Sequence, residues 1–433
     1  MILRVILKNF LSFYDETSFD MFPNPKRERF SSHIYQNMQV PVMKQAAIYG
    51  ANGAGKSNLV KALIFLKGFT TIVDYFKNIE VEDYRFKLVE DNKSPMMLTI
   101  EFFQERYYIY QLEVNGKVSE RLFVSGLGTE ENKLVFEREG TRISGESITN
   151  MASSEALLKK NPRSSILALN EQFPILSSDD VKNVHEWFER TLTIATINTE
   201  IRMLISLLSN NRRLLNFSSE LLSDLKISDN LKISEMEFNE WLNTKNGRAY
   251  KRAFDGDPLA SQQNGQFSAT KDRRNEFNIV KKNGEQIVQE FLFEQTGVRG
   301  YRHGMDIDSQ SDGTVRLLTL IPLLFDAIFN HKVVVIDEIE NSMHPTLIYN
   351  LMRFYAGSSS NGQLIFTTHL TKFMNQQDLM RLDELWLVEK DNGSSHMRSL
   401  NDYRIHNTIN VENGYLEGRY GGVPVIGSLC DGE

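Results

Sequence analysis

Apolar residues along this 433-residue chain follow two spacings, and the points where one gives way to the other divide it into three parts. Residues 1–175 read mostly as strands. Residues 3–7, Leu-Arg-Val-Ile-Leu, are apolar with one polar interruption and read as a strand. Residues 96–103 and 107–114 are β-rich runs joined by Gln104-Glu105-Arg106, a hairpin-sized link. Shorter strands are expected at 121–124 and 133–137. Residues 45–50 form an apolar strand that ends in a glycine-rich turn.

From 178 to 243 the period lengthens. Val184, Trp187, Phe188, Leu192, Ile194 and Ile197 recur at helical spacing, and Ile201, Leu204, Ile205, Leu208 and Leu215 continue it. Ser177-Ser178-Asp179-Asp180 supplies a helix start. Residues 244–276 are rich in Gly, Asn, Gln and Asp and predict a long loop. Without a heptad array, a long coiled-coil arm is excluded. From 277 onward the pattern is α/β: residues 333–336 and 364–366 are short continuous apolar runs, as in buried parallel strands. The expected organisation is an N-terminal lobe with a β-subdomain over 1–175, a helical insertion with a polar loop over 176–295, and a C-terminal lobe over 296–433.

The candidate chemistry lies at the ends of these strands. Gly50-Ala51-Asn52-Gly53-Ala54-Gly55-Lys56-Ser57 matches the P-loop pattern in full, after the 45–50 strand and before an apolar helical run at 59–66. Its glycines let the backbone turn its N–H groups toward phosphate, and the helix N-terminus adds positive partial charge. Asn52, Gly53, Ala54, Gly55, Lys56, Ser57 and Asn58 are the expected nucleotide contacts. Lys56 neutralises the β- and γ-phosphates of ATP and Ser57 ligates Mg²⁺. Val333-Val334-Val335-Ile336 delivers two carboxylates, Asp337 and Glu338, to a strand end. Asp337 is expected to hold Mg²⁺ through water, and Glu338 to orient and deprotonate the attacking water. Thr367-Thr368-His369 follows the 364–366 strand and sets His369 to reach the γ-phosphate. Ser309-Gln310-Ser311-Asp312-Gly313-Thr314 precedes an apolar helix at 315–325, and a hydroxyl, a glycine and a helix N-terminus make an anion-binding end or a plain N-cap.

Composition narrows the setting. Net charge is −7, which does not favour non-specific nucleic-acid binding. Arg248, Lys251, Arg252, Lys271, Arg273, Arg274, Lys281 and Lys282 form either a local basic patch or a solvated surface among Asp255, Asp257 and Glu276. No apolar run approaches the ~20 residues of a membrane span. The chain passes from Met1 directly into a strand-like stretch, so no signal peptide is expected. The single cysteine, Cys430, fits a reducing cytoplasm.

The order of the motifs (P-loop, long insertion, Ser-x-Gly before a helix, Asp-Glu, then His) resembles the ABC-type ATPase heads of SMC- and RecF-type proteins. Asn9-Phe10-Leu11-Ser12-Phe13 is similar to the Asn-Phe-x-Ser opening of RecF- and OLD-family proteins. Ser311-Asp312-Gly313-Thr314 resembles their signature motif in the variant of the OLD-like AAA-15/AAA-21 group, and Glu340-Asn341-Ser342-Met343-His344-Pro345 their D-loop region. Gln172 is the candidate for their Q-loop glutamine and, by that resemblance, a further Mg²⁺ ligand. Residues 415–424 resemble the terminal segment of bacterial defence ATPases of the RloA type and of the PARIS ATPase subunit. The resemblance implies an α/β fold, an ABC-type P-loop ATPase head with an N-terminal antiparallel β region and a helical insertion. It implies that Ser311 and Gly313 of one subunit complete the nucleotide site of another, so that ATP drives head-to-head homo-oligomerisation. About 60 residues follow His369, too few for a C-terminal Toprim nuclease domain. The implied partners are therefore a separate effector, a Toprim-type nuclease, and a phage-encoded trigger protein. Three functions stay open: the sensor or scaffold of an anti-phage defence system, a RecF-like repair ATPase on duplex DNA, and a stand-alone nucleotide hydrolase.

Overall fold

A computed structural model describes the chain except at residues 37, 78, 91, 129, 147, 198, 200–203, 255–276, 375–378, 406–409 and 424–433. Two compact units separate. One comprises Met1–Ile197, Asp326–Glu340 and Tyr349–Glu433, the other Asn198–Phe325 and Asn341–Ile348.

The first unit is built on a six-stranded sheet in the order Leu192–Ala195, Val333–Ile336, Gln363–Thr367, Gln45–Gly50, Leu385–Asp391, Ser394–Ser399. The first five strands run parallel and the last closes an antiparallel hairpin. Val333–Ile336, Gln363–Thr367 and Gln45–Gly50 are buried at every position, because a parallel sheet is covered on both faces. Ile336 pairs with Phe366, and Phe366 with Ala47, so Gln363–Thr367 ends one residue and Gln45–Gly50 three residues beyond the level of Ile336. Ligand sites in such sheets lie just beyond the C-terminal strand ends. Helix Lys56–Thr71 packs on the sheet and buries Leu59, Leu63, Phe65, Leu66 and Phe69.

A second, antiparallel sheet of seven strands belongs to the same unit, in the order Arg142–Ser144, Lys133–Glu139, Lys117–Val124, Arg106–Asn115, Met96–Gln104, Ile2–Lys8, Thr17–Asp20. The link expected at Gln104-Glu105-Arg106 is a one-residue turn: Gln104 pairs with Arg106, and Glu105 takes φ +59°. On this sheet Glu120 and Arg138 form a fully buried ion pair at 2.7 Å. Glu120 also accepts from the Ser165 hydroxyl at 2.8 Å and the Ile166 amide at 3.1 Å, which pins the N-terminus of helix Ile166–Gln172.

The second unit holds a four-stranded antiparallel sheet formed by Asn230–Glu237, Glu285–Thr296, Phe277–Lys282 and Arg302–Met305. Trp241, Phe277 and Val288 form a small core beside it.

Two expectations are corrected. The helical spacing assigned from Val184 to Ile197 holds only as far as helix Asp179–Glu186 and one wide turn at Trp187–Thr191. Leu192–Ala195 is instead a strand, paired with Val333–Ile336. Thr191, Thr193, Ile194 and Thr196 are β-branched and favour a pleated surface. The loop expected over 244–276 begins as helix Lys245–Phe254. The Thr244 hydroxyl accepts the Gly247 amide at 3.1 Å, and Tyr250 packs on Trp241 and Phe277 with ring centroids 5.6 and 5.5 Å apart. Of the basic cluster, Lys282 pairs with Glu235 at 2.6 Å, and Lys271, Arg273 and Arg274 lie outside the described residues.

Candidate functional site

The turn after Gln45–Gly50 is shaped by two close approaches that exclude a side chain. A Cβ on Gly50 would stand 2.5 Å from the Val388 carbonyl oxygen of the adjacent strand. A Cβ on Gly55, which sits at φ +116° directly before helix Lys56–Thr71, would stand 2.5 Å from Ser395 Oγ and 2.7 Å from Ser12 Oγ. The loop is thereby pressed against the hairpin Leu385–Ser399 from behind. Ser395 Oγ donates to the Ala54 carbonyl at 2.5 Å, and the Ser395 amide donates to the Ser12 carbonyl at 2.7 Å. Among the described residues, the amide N–H groups of Asn52, Gly53 and Gly55 donate to no protein acceptor. Unpaired amides around a helix N-terminus fit a bound phosphate.

Lys56 is buried at the start of the helix. Its ammonium donates to the carbonyls of Gly50 at 2.8 Å and Ala51 at 3.2 Å. Burial lowers its pKa, and Glu338, Asp337 and Glu340 oppose that shift. Ser57 Oγ donates to Asp337 Oδ1 at 3.2 Å. This hydroxyl–carboxylate pair suits Mg²⁺, which takes one or two protein ligands and completes its shell with phosphate oxygens and water. Asn58 and Ala54, both expected at the nucleotide, have their amides engaged, by the Gly55 carbonyl at 2.9 Å and the Ala51 carbonyl at 3.1 Å. The Asn58 side chain turns away and donates to Ser12 Oγ at 2.7 Å.

Asp337 and Glu338 follow the Val333–Ile336 strand as the sequence predicts. Asp337 is buried, and Glu338 is half-buried at φ +51°. That left-handed conformation costs an L-residue ~1–2 kcal/mol and belongs among the strained geometries that collect at functional sites. His369 is exposed two residues past Gln363–Thr367, and its amide donates to Glu340 Oε1 at 2.5 Å. Although the residue as a whole is exposed, partial desolvation of the ring and then the Lys56 charge lower the imidazole pKa; Glu340, Glu338 and Asp337 oppose that shift. Lys56, Ser57, Asp337, Glu338 and His369 thus follow the C-terminal ends of three adjacent interior strands of one sheet.

The other expected site residues belong to other segments of the chain. Gln172 is exposed at the end of helix Ile166–Gln172 and has no hydrogen bond to Ser57 or Asp337. Ser311 and Gly313 belong to the second unit, at the start of helix Asp312–Phe329. Ser311 Oγ caps that helix by accepting the Thr314 amide at 3.2 Å. A Cβ on Gly313 would stand 2.9 Å from the Ser342 carbonyl oxygen. The signature and D-loop segments are therefore in backbone contact within that unit.

Sequence reading missed the roles of four residues. Ser12, Thr367 and Glu340 stand inside motifs whose other members drew attention, and Ser395 stands in no motif. Ser12 and Ser395 brace the P-loop from segments 46 residues before and 383 residues apart in the chain, and only the folded sheet brings them together.

The profile of the family described as "AAA domain, putative AbiEii toxin, Type IV TA system", AAA-21, matches residues 46–375, more than half the chain and every motif from the P-loop to His369. The chain belongs to this family. As an AAA-21 member with this strand order and this motif order, it is an ATPase head of the ABC type, an α/β fold with an antiparallel β region. No curated protein matches the chain. Among solved structures, it is similar to an SMC head bound to the C-winged helix domain of ScpA, with TM-score 0.47, 14% identity and coverage of 93% of this chain and 99% of that one. It is similar also to the SMC head domain from Thermotoga maritima, with TM-score 0.43, 14% identity and coverage of 92% and 98%. An SMC head with extended coiled coil bound to the C-terminal domain of ScpA, from Pyrococcus furiosus, gives TM-score 0.43, 13% identity and coverage of 93% and 97%. Likeness at these scores adds nothing to the family assignment. Among the described residues the longest helix has 18 residues, and no helix is long and apolar enough to cross a membrane.

Proposed function

We propose that this AAA-21 protein binds and hydrolyses ATP with Mg²⁺, pairs head to head when ATP is bound, and serves as the sensor or scaffold of an anti-phage defence system that controls a separate effector, a Toprim-type nuclease. The observation that carries the hydrolytic part is the Ser57 Oγ to Asp337 Oδ1 approach of 3.2 Å beside Lys56 and Glu338. Bound Mg²⁺ would neutralise charge developing on the β- and γ-phosphates. Lys56 and the Gly53 and Gly55 amides hold the phosphates. Glu338 orients the attacking water and takes its proton. His369 stands within electrostatic reach of Lys56 and Glu338, and on this reading it contacts the γ-phosphate.

Ser311 and Gly313 open a helix N-terminus, which offers positive partial charge and N–H donors to an anion. We assign that anion as the γ-phosphate held by a second copy. Hydrolysis then removes the shared anchor and loosens the pair. The defence role draws on the family description, which names a toxin–antitoxin system. A phage-encoded trigger and a cytoplasmic setting belong to the same reading. Net charge of −7 argues against a duplex-DNA function as the primary one.

The test is the native mass of the Glu338→Gln variant purified in ATP from cells carrying the neighbouring genes. The expected result is a multiple of the chain mass plus a co-encoded protein. A bare monomer in saturating ATP contradicts the pairing. A bare oligomer, both in ATP and without nucleotide, contradicts the effector.

A further inference from the structure

The strand that leads to His369 ends in a threonine whose side chain is fully buried. Thr367 Oγ1 donates to Asp337 Oδ1 at 2.6 Å and accepts the Glu338 amide at 2.7 Å. The carbonyl of the same residue accepts the Ile339 amide at 3.2 Å. Glu338 lies between those two amides, at φ +51°. An L-residue leaves that region unless its surroundings over-determine it. Here the restraints on both sides of Glu338 come from one residue. A hydroxyl supplies one proton and two lone pairs, so it serves the Asp337 carboxylate and the Glu338 amide together. Valine has the same shape and serves neither.

We propose that Thr367 is a positioning residue for water activation: its hydroxyl ties the Asp337 carboxylate to the Glu338 backbone and so fixes the second carboxylate relative to the first. Thr367 acts through Glu338. The inference rests on the reading of Glu338 as the general base. Without the hydroxyl the Glu338 amide is left without its partner, and the backbone can relax toward an extended φ. That relaxation carries the carboxylate away from the water it must orient, while the phosphate cradle at Gly50–Ser57 keeps its own contacts. A second bond stitches the same segments together further along, from the His369 amide to Glu340 Oε1. The Thr367 substitution therefore loosens one turn and leaves the strand pairing in place.

The experiment compares Thr367→Val, which keeps the shape, with Thr367→Ser, which keeps the hydroxyl, by steady-state ATPase kinetics and ATP affinity. Thr367→Val is expected to lower kcat about 10- to 100-fold with ATP affinity within about threefold of wild type. Thr367→Ser is expected to restore kcat to within about threefold. In a Glu338→Gln background, Thr367→Val should cost nothing further, because two substitutions on one route do not add. Wild-type kcat in Thr367→Val beside an inactive Glu338→Gln overturns the proposal. So does a Thr367→Val loss that multiplies with the Glu338→Gln loss. Wild-type kcat in Glu338→Gln is the separate failure of the general-base reading itself. Should Thr367→Val not fold, as judged by circular dichroism, Thr367→Ala takes its place, and equal kcat losses in Thr367→Ala and Thr367→Ser overturn the proposal.

Discussion

Ser395 occupies the space that a side chain on Gly55 would need: its Oγ lies 2.5 Å from the position of a Gly55 Cβ while donating to the Ala54 carbonyl at 2.5 Å. Gly55 also holds φ +116°. Gly55→Ala is therefore expected to push the loop off its backing and weaken ATP binding by about tenfold or more, measured with a fluorescent ATP analogue. Adding Ser395→Gly should recover only part of the affinity, since the backbone strain at residue 55 remains. Full recovery would show that the clash alone shapes the cradle.

Lys56 is held in place by two loop carbonyls, and among the described residues no carboxylate bonds it directly. Lys56→Ala removes the phosphate-facing charge and leaves the helix, in which alanine is the better former. The expectation is a protein that melts within a few degrees of wild type and binds ATP at least about a hundredfold more weakly, read by calorimetry. Unchanged ATP affinity would refute the cradle.

The signature segment carries a different expectation. Ser311 is exposed at its helix start. Ser311→Arg keeps ATP affinity and abolishes ATP-dependent pairing, followed by light scattering in the Glu338→Gln background. Pairing that persists would end the composite-site reading of Ser311 and Gly313.

His369 supplies a test by pH. Partial desolvation of the ring first, and then the Lys56 ammonium, hold its imidazole below the ordinary 6.5. Between its folded value and 6.5 the unfolded chain binds a proton that the folded chain does not. Its contribution to stability is complete above 6.5 and is lost as the pH falls through that window. An NMR titration should place the His369 midpoint below 6.5, and Lys56→Ala should raise it. A midpoint at or above 6.5 would contradict the partial desolvation of the ring and its closeness to Lys56.

Much of this group was legible because its signals are local. Residues 45–50 and 333–336 are strands with the bounds their apolar runs suggest, and the P-loop, Asp337–Glu338 and His369 stand directly after such runs. What stayed hidden depends on distant parts of the chain. Leu192 and Ile194 fit a helical spacing, and only pairing with Val333 and Val335 draws them into a strand. Helix Lys245–Phe254 was hidden by its polar composition, and the packing of Tyr250 on Trp241 and Phe277 is visible only in the fold. Thr367 looks like any β-branched residue closing a buried strand. Its hydroxyl gains meaning only opposite Glu338, whose left-handed backbone no sequence pattern announces.

The order of strands in the six-stranded sheet bears on how the protein is made. The P-loop strand pairs with Gln363–Thr367 on one side and Leu385–Asp391 on the other, both more than 300 residues further along the chain. At ribosomal speeds of about 5–20 residues per second, roughly 15–70 s separate synthesis of Gly50 from that of its second neighbour. Over that interval an apolar strand waits without partners and the cradle does not exist. Nucleotide stabilises only a folded state that binds it. If ATP is the ligand, as proposed above, it protects the finished chain and gives no help to the nascent one, so synthesis is the stage at which this strand is open to aggregation and to chaperones.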